Sequence, residues 1–391
     1  MIEPGVPSFR NLLPVDIRFG EGVVAELAAV LRGEGARHAF VVLDTVAGEL
    51  PEVVSALGAL EGVKVTRHEK EPGEPTAREA DAVAAAIAES GADVLVAIGG
   101  GSVIDVAKAA RLARSARLPY LTVQDDLKLA AGASVLPLVA VPTTAGSGSE
   151  VSGGVVITDE ATHTKTGVAA PVVRAQYALV DPALTYSAPP DVTAWSGIDA
   201  IAQAIASIVS SSRTPVGNAV GLEAVYRGAR ALPEVVADGA NRAARQEMAC
   251  ASVLGGLAMN ISDCGSEHSL AQALGGRYGL AHGLTIGLVL AESMDVDRRG
   301  APELFERIAD ALGEPPDGTQ DGSRAVRGIS RILAEIDFPL MRDCEVEESA
   351  VDELAAVAMD DVFIRLAPGG WTVDDAAGVY RRALSLTGRS S

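Results

Sequence analysis

The chain has 391 residues, enough for two cores, and is 48% hydrophobic but only 4% aromatic, so Ala, Val, Leu and Gly carry the interior. A formal net charge of −20 argues against nucleic acid or an anionic membrane surface as partner. Three scattered cysteines, Cys250, Cys264 and Cys344, make no disulfide framework. With no N-terminal signal sequence and no apolar run of membrane-spanning length in view, a reducing, cytoplasmic setting is expected.

In chain order, Asp16 to Gly20 reads as a short strand, and a helix follows over Gly22 to Arg32. His38 to Asp44 is a continuous apolar run closed by an acid, as in a buried parallel strand. VKVTRHE alternates as a strand, EPGEPT is a Pro/Gly turn, and AREADAVAAAIAES is a helix. DVLVAIGGGS, from Asp93 to Ser102, is another buried strand that runs into a glycine turn and the helix VIDVAKAARLAR. Strand alternating with helix at this spacing predicts a doubly wound α/β domain.

The turn Gly99, Gly100, Gly101, Ser102 sits where a backbone can approach a pyrophosphate at a helix N-terminus. Asp44 ends a strand, where an acid can hold a ribose 2′-hydroxyl and repel a 2′-phosphate. The acid precedes the glycine turn and there is no GxGxxG, so the usual dinucleotide fingerprint is missing, and a merely tight connection stays open. Next, a strand over Leu136 to Val141 enters PTTAGSGSE, where Thr143, Thr144, Ser147 and Ser149 suit a loop wrapping phosphate or ribose. Lys165 falls in HTKTG, expected as a turn between short strands, and AQYALVDP is the last strand.

From about Pro189 the chain turns helical. Helices are expected over Val192 to Ser210, Val216 to Arg230, Arg242 to Met259, Ser266 to Leu274, Leu284 to Met294, Glu303 to Leu312, Ser323 to Ile336, Val351 to Met359 and Thr372 to Leu386. The expectation is an α/β domain over 1–188, an all-helical domain over 189–391, and a ligand in the cleft between them. Asp199 is the one charged side chain in the apolar helix GIDAIAQAIASIVS, with Gln203 one turn on. A carboxylate there needs a cation or a dense hydrogen-bond set; capping of a helix start is the plainer alternative. His268 lies on a helix with Gln272 at i+4, and His282 follows the Gly275-Gly276 pair, expected to break that helix. The two imidazoles suit a divalent ion shared with Asp199, or else a cap and a core residue.

Four stretches in order, GGGSVIDVAK, PTTAGSGSEVS, GIDAIAQAI and HSLAQALGGRYGLAHG, resemble the iron-containing, group III alcohol dehydrogenases of the dehydroquinate synthase-like superfamily. The resemblance covers almost the whole chain. It implies NAD bound by Gly99 to Ser102, with Thr143, Thr144 and Ser149 lining the nicotinamide side and Asp44 favouring NAD over NADP. Asp105, Ser147 and Lys165 are placed with the same cofactor site. It implies one divalent metal, Fe(II) or Zn(II), on Asp199, Gln203, His268 and His282, with Gln272 beside it. The expected reaction is metal-assisted hydride transfer between NAD(H) and a small alcohol, aldehyde or ketone, in a homodimer or larger homo-oligomer. Where such enzymes usually carry histidine, this chain has Gln203 and Gln272, and Ala367-Pro368-Gly369 stands for their Asn-Pro-Arg. These departures keep three alternatives in view: a metal-independent reductase resembling maleylacetate reductases, a dehydroquinate synthase-like lyase using NAD transiently, and a binding protein without turnover. Arg277 is a candidate for meeting an anionic substrate.

Overall fold

A computed structural model describes residues 8–130, 134–162 and 164–388. His163 of the HTKTG stretch and residues 1–7 lie outside them. The chain forms two compact units, Pro14–Ala188 and the helical remainder from Pro189, with which residues 8–13 also group. Those N-terminal residues were expected in the first domain. Phe9, Leu12 and Leu13 stay exposed, and the segment adds no strand to the sheet.

Among the described residues, the first unit has eight strands: β1 (Asp16–Phe19), β2 (His38–Leu43), β3 (Lys64–Glu69), β4 (Val94–Gly99), β5 (Leu138–Pro142), β6 (Gly154–Asp159), β7 (Thr164–Ala169) and β8 (Tyr177–Val180). Its helices are α1 (Leu27–Gly33), α2 (Thr45–Glu49), α3 (Pro51–Gly58), α4 (Ala77–Ser90), α5 (Gly101–Ala116) and α6 (Tyr120–Asp125). Six strands form one parallel sheet in the order β1-β8-β5-β4-β2-β3. β2 and β4 are buried throughout, as their unbroken apolar runs require. Alternate residues feed two cores: Phe40, Val42, Leu95 and Ala97 pack with α4 and α5, and Val41, Leu43, Val96 and Ile98 with α1 and α3. β2 leads to β3 at one edge and β4 leads to β5 on the other side. These adjacent strands therefore send the chain in opposite directions, and ligands bind beyond strand C-termini at such a switch point.

β6 and β7 form a separate antiparallel hairpin. Lys165 lies within β7 opposite Thr158, not in a turn as expected; pairing with β6 makes this polar stretch a strand.

The second unit is helical: α7 (Pro190–Val209), α8 (Pro215–Ala237), α9 (Arg242–Ser262), α10 (Ser266–Tyr278), α11 (His282–Asp297), α12 (Pro302–Leu312), α13 (Ser323–Glu335), α14 (Val351–Asp360) and α15 (Val373–Ser385). α7 packs against α8, α9 and α11, and α10 packs against α11 and α14. Contrary to the first reading of the sequence, α7 is long and apolar enough to cross a membrane, but 83% of that window is buried inside the protein. It is the axle of a helical core. α10 runs straight through Gly275-Gly276 and ends at Gly279, φ +66°. Packing against α11 carries the helix past the pair, and the stop falls at the glycine that takes the left-handed conformation.

Candidate functional site

The first site is assembled at the switch point. The α5 N-terminus opens at Gly101, and no side chain caps it; the Val103 N–H turns back to the Gly100 carbonyl at 3.1 Å, and an uncapped helix N-terminus favours an anion. Three loop residues crowd the turn. A Cβ on Gly101 would lie 2.5 Å from Ser147 Oγ, one on Gly99 2.5 Å from Val103 Cγ2 and 2.9 Å from Asp44 Oδ2, and one on Gly100 3.4 Å from Thr144 Oγ1. The Thr143 N–H donates to the Gly99 carbonyl at 3.0 Å. The structure thus brings Asp44, Gly99 to Gly101, Thr143, Thr144 and Ser147 together, and a side chain at Gly99 or Gly101 would clash. Ser102 is the second residue of α5. Asp44 Oδ1 caps α2 by accepting from Ala47 N at 2.7 Å.

Three predicted contacts are committed inside the protein instead. Asp105 accepts from Ser149 Oγ at 2.5 Å and from Val156 N at 3.0 Å. Both carboxylate oxygens and the Ser149 hydroxyl therefore anchor the loop from behind. The Lys165 side chain is buried and meets Glu74 at 2.9 Å, tying the hairpin to the loop after β3. Deeper in, Lys108 donates to the Ser152 and Gly154 carbonyls. Burial pushes its ammonium down to about 8 and Glu150 up to about 7.

The second site lies within the helical unit. α7 starts at Pro190, so Asp199 sits in its third turn and cannot be a cap. The same helix face buries Gln203 one turn later. His268 is in the first turn of α10, and His282 is the first residue of α11. Gly283 sets the approach of α11, because a Cβ there would strike the Trp195 carbonyl oxygen one turn before Asp199. Close backbone contact between α11 and α7 therefore delivers His282 to Asp199.

Asp199 Oδ1 lies 3.7 Å from His268 Nε2 and 3.6 Å from His282 Nε2, and one ligand atom from each of the three residues falls within 4.8 Å of the others. These gaps are too long for hydrogen bonds. They match the edge of about 3.4 Å between two ligand atoms each roughly 2.1 Å from one tetrahedral ion. One carboxylate oxygen and two imidazole nitrogens suit Fe(II) or Zn(II), so the residues fit a divalent metal. Gln203 turns its amide toward α9, with Nε2 3.1 Å from where a Cβ on Gly255 would stand. Gln272 is buried on α10. Phe363 meets the His268 ring edge-on at 6.4 Å.

Sequence reasoning missed Glu267. Its Oε1 lies 2.7 Å from His268 Nδ1 and both side chains are buried. A proton on Nδ1 directed at this carboxylate leaves Nε2, the nitrogen facing Asp199, as the lone-pair end. Burial pulls the ion-free His268 imidazole down, but the neighbouring Cys264 and Glu267 outweigh it and raise it well above 6.5, so a cation binding at Nε2 would displace a proton there. Burial pushes the Cys264 thiol up. The only hint of Glu267 in the sequence was an acid next to a histidine, and neighbours in sequence do not usually share a helix face. Arg277 is a surface residue whose guanidinium meets Glu353 at 2.7 Å.

Residues 14–182 match the family model described as iron-containing alcohol dehydrogenase, and residues 193–384 match that of the Fe-containing alcohol dehydrogenase family, C-terminal. The choline dehydrogenase of Bacillus subtilis is 31% identical over 386 residues, covering 96% of this chain and 95% of that protein. The NAD-dependent methanol dehydrogenase of Bacillus methanolicus is 32% identical over 374 residues, covering 93% and 97%. The crystal structure of a 1,3-propanediol oxidoreductase superposes with a TM-score of 0.89 at 29% identity, over 96% of this chain and 100% of that one.

Proposed function

The chain belongs to the iron-containing alcohol dehydrogenase family, and on that premise we propose that Asp199, His268 and His282 hold one divalent ion, Fe(II) or Zn(II), at its reaction centre. The protein is an oxidoreductase that moves a hydride between NAD(H) and an alcohol, aldehyde or ketone. The relatives are dehydrogenases, which gives neither the lyase nor the metal-independent reductase alternative any support. One observation carries the reading: three ligand atoms from three separate helices gather within 4.8 Å.

The bound ion would supply Lewis-acid polarisation of the substrate oxygen. The chain's own residues do the rest. The glycine turn and the α5 N-terminus receive the coenzyme pyrophosphate, and Asp44 selects NAD by holding a ribose diol and repelling a 2′-phosphate. Thr143, Thr144 and Ser147 border that cradle. Gln203 stands beside the ion as a weak neutral ligand or leaves the place to water. Gln272 cannot take up a proton near neutrality, so the substrate proton is handed to water. Primary alcohols with NAD should yield NADH at 340 nm, and chelation should abolish the signal until Fe(II) or Zn(II) is restored. Turnover that survives complete removal of metal would contradict the assignment.

A further inference from the structure

We infer that Glu267 is a positioning residue that tightens the metal site through His268, making up for the stronger donor that Gln203 does not provide. The inference rests on the proposed metal centre and assigns a role to a residue outside its ligand set. Three observations meet here. The Glu267 carboxylate is buried and bonded at 2.7 Å to the far nitrogen of a ligand imidazole. Gly265 makes room for it, since a Cβ there would stand 2.8 Å from Glu267 Oε2. Gln203, the fourth side chain on the α7 face, offers only a neutral amide.

A carboxylate on Nδ1 does two things to the ring. It fixes the tautomer with the lone pair on Nε2, and it makes that nitrogen more basic. It also matters for charge. Asp199 and Glu267 are two buried carboxylates on either side of His268, and a buried dication balances both. A site short of one imidazole therefore recovers affinity from a residue that does not touch the ion. The neighbouring framework holds the turn in place: Ser266 Oγ and Trp371 Nε1 both donate to buried Asp297 at 2.6 Å.

The test titrates the full-length apo-protein with Co(II) against a chelator, reading the visible d–d bands, in wild type, Glu267→Gln, Glu267→Ala and His282→Ala. Glu267→Gln keeps an oxygen acceptor for Nδ1–H but loses the charge, so it separates charge from orientation. The expected result is a Co(II) Kd raised roughly 10–100-fold in both Glu267 variants, with altered band intensity and an unchanged melting temperature of the apo form in Glu267→Gln. A Glu267→Gln protein that binds within about twofold of wild type, with the same spectrum, overturns the role assigned to Glu267. Wild-type protein that binds no tighter than His282→Ala overturns the metal centre itself, a separate failure.

Discussion

The two sites are built in opposite ways. The proposed coenzyme cradle in the α/β unit rests mostly on backbone, a glycine turn and a helix N-terminus, with the acid that caps α2, at the ends of the adjacent strands β4 and β2. The proposed metal cluster is made of side chains on three helices, gathered only where tertiary packing brings them together. A backbone site is local and is written in spacing; a side-chain site depends on contacts between elements far apart in the chain. The first should fail by steric crowding at one turn, the second by any change that separates helices.

The largest break expected is His282→Ala, which removes a ligand outright. Turnover should fall by about 10³-fold or more, since Lewis-acid stabilisation contributes several kcal/mol, while NAD affinity by fluorescence titration stays within about twofold. Gly283→Ala touches no ligand but forces a Cβ into the Trp195 carbonyl. Overpacking of this kind costs about 1–3 kcal/mol, and the displaced α11 should release the ion; calorimetry and metal analysis together check it. Gly101→Ala places a Cβ against Ser147. NAD affinity should weaken about tenfold, roughly 1.4 kcal/mol, with metal content unchanged, the mirror image of Gly283→Ala. The smallest effect is expected from Lys165→Met, which loses the Glu74 pair: a lower melting temperature by about 2–4 °C and an unaltered NAD dissociation constant. A large loss of NAD binding would instead put Lys165 in the cradle.

What was legible follows the same division. Buried strands over His38 to Leu43 and Val94 to Gly99 showed as apolar runs, and the glycine turn announced itself between strand and helix. Asp199 stood out as a lone charge on an apolar helix, and His268 and His282 were read as its partners in one of two open readings; the resemblance chose between them, because nothing in local spacing says that His282 crosses to α7. The short helices α2, α3 and α6 escaped notice. They run only five to eight residues, too few to show a helical period. Lys165 was misplaced because the hairpin's partner strand decides whether a Thr-rich stretch is turn or strand. Glu267 was invisible because its bond to His268 depends on the geometry of a helix's first turn.

The central claim is that Asp199, His268 and His282 form a working metal site although two expected imidazoles are glutamines. Metal content of the full chain after anaerobic reconstitution with Fe(II) or Zn(II) in the presence of NAD, followed by gel filtration, tests it most directly. About one ion per chain in wild type and none in His282→Ala is the predicted result. Wild-type protein that emerges without metal would contradict the account.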